Sequence, residues 1–169
     1  VPRDRRPVAG RLGDGPVQCL LARVAGEHIV LPLADVLEAV DAPAFDAPAA
    51  EGAPLPGRPR RVLPWRGRAL PVHDAGLLLG AGSASAGVAL VLADPDGRPM
   101  AFAADDAVDI VQVTRDDVRR VPAAASADGL VIGAVATAAG LAAVVEPAVL
   151  CQIARAAAPT PTASDDPCA

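Results

Sequence analysis

Lysine and tyrosine are missing from this 169-residue chain, and its aromatic set is two Phe and one Trp. All 15 basic residues are arginine, a mark of a GC-rich genome that carries no functional reading. Scarce aromatics force an aliphatic core of Val, Leu and Ile, and they remove the stacking side chains on which single-stranded nucleic acid is held. No apolar run approaches the roughly 18–20 residues of a membrane helix. Behind the basic opening VPRDRRPVAG comes LGDGP, not an apolar segment, so no export signal is read. Cys19, Cys151 and Cys168 are odd in number and far apart, with no CxxC, which excludes a disulfide framework or a zinc site. Reduced thiols and a cytoplasmic location are expected. A net charge of −5 and a pI near 4.9 disfavour non-specific binding to nucleic acid or to an anionic membrane.

What is present points to strands. Hydrophobic residues make up 52% of the chain, with 18 Pro and 15 Gly, which argues for short strands and tight turns. Residues 1–16 read as a mobile lead-in. Val17–Val24 and His28–Leu33 flank the turn Ala25-Gly26-Glu27 as a hairpin, and Val36, Glu38 and Val40 share one side of an extended segment. A long Pro/Ala loop is expected over residues 41–59 and a flexible connector, GAGSASAG, over 80–87. Between them, Leu63–Gly80 reads as strand, Arg-Gly turn, strand and helical turn.

The second half repeats the first. LLARVAGEHIVLPLADVLEAV and LVLADPDGRPMAFAADDAVDIVQV share strand, Gly turn, strand, Ala-Asp and an acid inside an apolar strand. Gly26 matches Gly97 and Glu38 matches Asp109, each 71 positions on. This predicts two similar β-lobes, about residues 17–80 and 81–157. Thr114 and Asp117 form a helix-start signal, Leu130–Val135 and Leu141–Val145 are further strands, and residues 146–157 form a closing helix with Val149, Leu150 and Ile153 on one stripe. Residues 158–169 read as a disordered tail.

No catalytic set emerges. GAGSASAG lacks the glycines of a nucleophile elbow and the Lys-Ser/Thr of a phosphate loop. His28 and His73 are the only histidines; His73 adjoins Asp74, but neighbours on a strand face opposite ways, and no third ligand is evident. The reading is therefore non-enzymatic, without metal or cofactor, and a hydrolase using His73 and Asp74 is the weakest rival. Arg58, Arg60, Arg61, Arg66 and Arg68 are the densest charge. They suit electrostatic docking onto an acidic partner or, as the second reading, a nucleic-acid or anionic-ligand site. Trp65 reads as a core or lobe-junction residue.

VLEAV (36–40), RGRALPVHD (66–74) with LLLG behind it, MAFAADDAVDIVQV (100–113) and IGAV…GLAAVVEPAVL (132–150) resemble, in order and spacing, the CheW-like domain of bacterial chemotaxis coupling proteins. The resemblance covers about Val17 to Ile153. It implies an all-β fold of two SH3-like five-stranded barrels with a short C-terminal helix. It also implies a cytoplasmic adaptor joining the regulatory domain of the chemotaxis histidine kinase to chemoreceptor tip helices. By the same resemblance, Arg66 is the arginine associated with receptor contact, and Val36 and Glu38 lie on the strand bordering that groove. Arg68 completes the expected partner-binding set. VLPW stands where the family usually carries Gly-Val-x-Asn-Leu, Ala75 where Leu is frequent, and Ala104-Asp105 where Val-Asp is usual.

Overall fold

The computed structural model describes residues 4–42, 61–122 and 128–157. The expected tail, most of the Pro/Ala loop, Arg58, Arg60 and Cys168 lie outside the described residues. Among the described residues ten strands run in chain order: β1 (Val17–Val24), β2 (Glu27–Pro32), β3 (Val36–Asp41), β4 (Arg61–Trp65), β5 (Arg68–Asp74), β6 (Val88–Ala93), β7 (Pro99–Ala104), β8 (Asp106–Val113), β9 (Val131–Thr137) and β10 (Gly140–Val145). Three helices accompany them: α1 (Val8–Gly13), α2 (Ala75–Leu78) and α3 (Pro147–Ala157). The all-β class with two five-stranded SH3-like lobes and a C-terminal helix is what the sequence led us to expect.

The strands do not sort by halves, however. One sheet has the order β8-β1-β2-β10-β9 and the other β3-β6-β7-β5-β4. Each repeat keeps its first hairpin in one sheet and sends its other three strands to the opposite one. The division at residues 80 and 81 therefore marks the sequence repeat, and neither half is a lobe. The repeat itself is carried into register. Glu38 of β3 pairs with Val91 of β6, and Asp109 of β8 pairs with Leu21 of β1, each beside an irregularity in the ladder. In both sheets a parallel pair, β2 with β10 and β5 with β7, brings in the later hairpin.

Strand alternation then builds three cores. Leu20, Ala22 and Val24 of β1 meet Val88, Leu90 and Leu92 of β6 in a central core shared by the two lobes. The alternate residues Cys19 and Leu21 fill the first barrel, and Ala89 and Val91 fill the second. Strands apolar on both faces are what such double burial requires. α3 lays Leu150, Cys151 and Ala154 on the central core, while the expected Val149 and Ile153 are only half-buried. The small Cys and Ala side chains form the seating face, which a search for large apolar residues overlooks.

Two segments expected to be loose are ordered. Within residues 1–16, Val8 and Leu12 stand one helical turn apart on α1 and are buried in the first barrel. The Val8 N–H donates to buried Glu146 Oε2 at 2.7 Å. The connector over 80–87 is tied by two carboxylates. Asp74 accepts from Ser83 Oγ (2.6 Å) and Ala84 N (3.1 Å), and Asp105 accepts from Ser85 N (2.6 Å) and Gly26 N (2.8 Å). Partial burial works against the charged form of Asp105, but these backbone N–H groups prevail and lower its pKa.

Burial pushes the Cys19 thiol up to about 11 and the Cys151 thiol to about 12, so almost no thiolate forms at neutral pH. In a Cys168→Ser background, the native protein is expected to stay unlabelled by DTNB and to react at both remaining thiols once denatured. Prompt labelling under native conditions would contradict the packing of both cores.

Candidate partner-binding site

β4 and β5 turn through Arg66 and Gly67, at φ 45° and 73°, with Trp65 opposite Arg68. Positive φ at both central residues is the two-residue hairpin turn whose twist matches its strands. Glycine adopts it freely. For arginine it is uncommon, so the backbone is held in a costly conformation at the tip that carries the charge. The first hairpin turns the same way through Ala25 and Gly26, at φ 50° and 83°.

That tip meets β3 through one carboxylate. Trp65 Nε1 donates to Glu38 Oε2 at 2.7 Å, and Arg66 Nη2 reaches the same oxygen at 3.5 Å. The Arg66 guanidinium also lies over the Trp65 ring, 4.5 Å from its centroid, within cation–π range. β3 and β4 are the two edge strands of their sheet. Glu38 therefore joins the open edges of the second barrel by side chains, where edge groups otherwise invite pairing with other chains. The ion pair is solvated, with the Arg66 and Glu38 side chains 66% and 44% exposed, and is worth about 0–1 kcal/mol. The shorter indole bond to a charged acceptor is the firmer contact.

The structure thus brings together two of the four expected residues, Glu38 and Arg66. Val36 lies at the start of β3, opposite Leu92, half-buried against the central core. Arg68 is exposed at the start of β5, and Arg61 is exposed at the start of β4. Trp65 packs half-buried against the second barrel's core, as expected, yet also supplies the hydrogen bond that fixes Glu38. An acid on the apolar β3 was the signal for that bond.

His73 and Asp74 do not form a reactive pair. His73 is buried against Phe102, with ring centroids 5.7 Å apart. Asp74 caps α2 by accepting from Leu77 N and also accepts from Ser83 Oγ and Ala84 N. Among the described residues, no group of three His, Cys, Asp or Glu side chains is placed to hold a metal. No helix among them is long and apolar enough to cross a membrane.

Comparison with known proteins bears on the fold and the family. The fold is similar to that of the scaffolding protein TtCheW from Thermoanaerobacter tengcongensis, with a TM-score of 0.63. The alignment covers 80% of this chain and 87% of that one at 16% identity. No curated protein matches the chain. The model of the CheW-like domain matches residues 18–154, from the first strand into the last helix, and the chain belongs to that family.

Proposed function

We propose that this protein is a non-enzymatic chemotaxis adaptor of the cytoplasm. It couples chemoreceptor tip helices to the regulatory domain of the chemotaxis histidine kinase. The observation that carries this reading is the joined tip of Glu38, Trp65 and Arg66, a fixed charge display on a family fold. Val36, Glu38, Arg66 and Arg68 edge the receptor site, where a helix lies in the groove and the arginines set its orientation. The kinase's own barrel meets an apolar barrel surface; on β8, Val108 and Ile110 are exposed, at 43% and 55%. Such side chains mark contact surfaces when they stand together. Each contact is modest, and function comes from many of them engaged at once in an array.

A nucleic-acid role for the arginine cluster is weaker. Arg66 is paired with Glu38 and covers one face of Trp65, the one indole in the chain, so a stacking platform is lost. The deciding experiment is co-purification with the host's kinase regulatory domain and receptor tip fragment, separately and together. Capture of both is expected, in a ternary complex. Failure to retain either would end the reading, and a salt-dependent shift with RNA or DNA instead would favour the rival.

A further inference from the structure

The internal repeat makes the two barrels counterparts of each other. Their sheets share one strand order, with β8 and β9 in the places of β3 and β4. In the second barrel these edges are joined, through Trp65 and Arg66 on Glu38. In the first they are not. Asp109 stands where Glu38 does, but β9 and β10 turn with Thr137 opposite Gly140, as β4 and β5 turn with Trp65 opposite Arg68. Thr137 and Ala138 therefore hold the places of the indole and the guanidinium. Thr137 Oγ1 donates to Gly140 O of its own hairpin at 2.8 Å. Among the described residues, the one donor to the Asp109 side chain is the adjacent Ile110 N–H, also at 2.8 Å.

The chain beyond β8 closes this barrel instead. Arg119 N donates to Ala134 O of β9 and Ala134 N donates back to Arg119 O, at 2.8 and 2.9 Å. The outer edge of β8 is left without a strand beside it among the described residues. Val108 and Ile110 are exposed there, at 43% and 55%, where β3 has Leu37 and Ala39. Leu37, like Trp65, packs on the core of the second barrel. Asp106 stands opposite Arg23 in the ladder, so the charge left over at this edge is that of Asp109. A bulge and an acid on an edge are devices that keep a further strand from adding. Val108 is the extra residue of such a bulge, between the pairs Leu21–Asp109 and Ala22–Ala107. Contact at this edge therefore runs through side chains, as it does between β3 and β4.

We propose that the open edge of the first barrel receives the tip of a partner protein's β-hairpin, one that carries a guanidinium beside an aromatic ring. The guanidinium pairs with Asp109 and the ring lies on Val108, so the partner supplies from outside what Trp65 and Arg66 supply to Glu38 within the chain. Resting on the reading of β8 as the kinase-facing surface, this gives the tip to the kinase's own barrel.

The test titrates a backbone-cyclised hairpin peptide of residues 61–72, RVLPWRGRALPV, into the 15N-labelled full chain, followed by NMR. The peptide presents an indole and a guanidinium that no Glu38 holds. Saturable shifts of the Val108, Asp109 and Ile110 amides are expected, with Arg66→Glu and Trp65→Ala versions of the peptide each at least about tenfold weaker. Asp109→Arg in the full chain should weaken the peptide by about tenfold or more. Asp109 is exposed and bonded only to its neighbour, so this variant keeps its fold, which an unchanged amide spectrum away from β8 checks. No saturable shift on β8 overturns the proposal, and so does equal binding of the Arg66→Glu peptide. Shifts confined to Glu38 and the Trp65 indole overturn it as well, since the peptide would then have displaced the chain's own tip. Shifts of the β8 amides with protein concentration alone would give the edge to a second copy and overturn it too. Equal kinase capture by wild type and Asp109→Arg would overturn it and leave the adaptor reading intact. Peptide binding with no kinase capture by wild type would support the edge site and count against the kinase reading.

Discussion

Arg66→Glu is expected to weaken capture of receptor tip helices by about tenfold or more, equivalent to about 1.4 kcal/mol, while the melting temperature moves by no more than about 4 °C. The two effects separate because the exposed pair with Glu38 contributes at most about 1 kcal/mol to folding. Trp65 Nε1 continues to hold Glu38 after the change, so β3 and β4 stay joined. At a partner surface the same charge acts differently, since reversing it replaces attraction with repulsion and alters orientation as well as encounter rate. The double variant Glu38→Gln/Arg66→Gln, which removes both charges but keeps a side-chain oxygen to accept from Trp65 Nε1, separates direct recognition from support. If the receptor reads the arginine itself, the double variant stays defective. If Arg66 serves only to neutralise Glu38, binding returns. Equal receptor capture by wild type and Arg66→Glu, measured by pull-down and by melting on the same samples, would remove this residue from the site.

Much of this was legible in the chain because the informative signals are local. A two-residue turn needs positive φ, so Ala25-Gly26 and Arg66-Gly67 announce hairpins, and alternation on either side sets the strands. The Thr114–Asp117 pair likewise forms its capping box, although only a single 3-10 turn (Arg115–Asp117) follows. Which sheet a strand joins is not local. Nothing within VLEAV states that β3 leaves its own hairpin to pair with β6, and the 71-residue repeat is equally consistent with two separate lobes. Glu38 was found as an acid on an apolar strand, but its bond to Trp65 spans 27 residues and depends on how the sheet curls. The N-terminal segment misleads for a related reason. Its charged composition hides two apolar residues, Val8 and Leu12, which suffice once a barrel offers them a place. GAGSASAG reads as a linker because glycine and serine are usually solvated. Here its backbone N–H groups and the Ser83 hydroxyl are the partners of Asp74, at the end of β5, and of Asp105, between β7 and β8.

Gly76→Ala is expected to destabilise the protein by about 2–3 kcal/mol, a fall of roughly 4–12 °C in melting temperature. Helix propensity alone argues the other way, since Ala is favoured over Gly inside a helix by about 1 kcal/mol. Packing decides the sign. A Cβ at Gly76 would stand 2.1 Å from the Gly82 carbonyl oxygen, and 3.1 Å from both the Ala84 nitrogen and the Ala25 Cβ. These are largely backbone atoms that cannot rotate away. The connector is pinned by Asp74 and Asp105, and Ala81 N donates to the Gly76 carbonyl itself at 2.9 Å. Relief therefore requires α2, the connector or the first hairpin turn to shift, and these elements meet beside the central core. Gly97→Ala is the control. Gly97 sits at φ 81° with nothing within 4 Å, so its cost is conformational only, about 1–2 kcal/mol. Urea unfolding of both variants compares a clash with a strained turn, and a Gly76→Ala protein as stable as wild type would show that the connector yields. Since α2 closes the RGRALPVHD corner, a shift there moves β5 and with it Arg68, and receptor capture is expected to fall alongside stability.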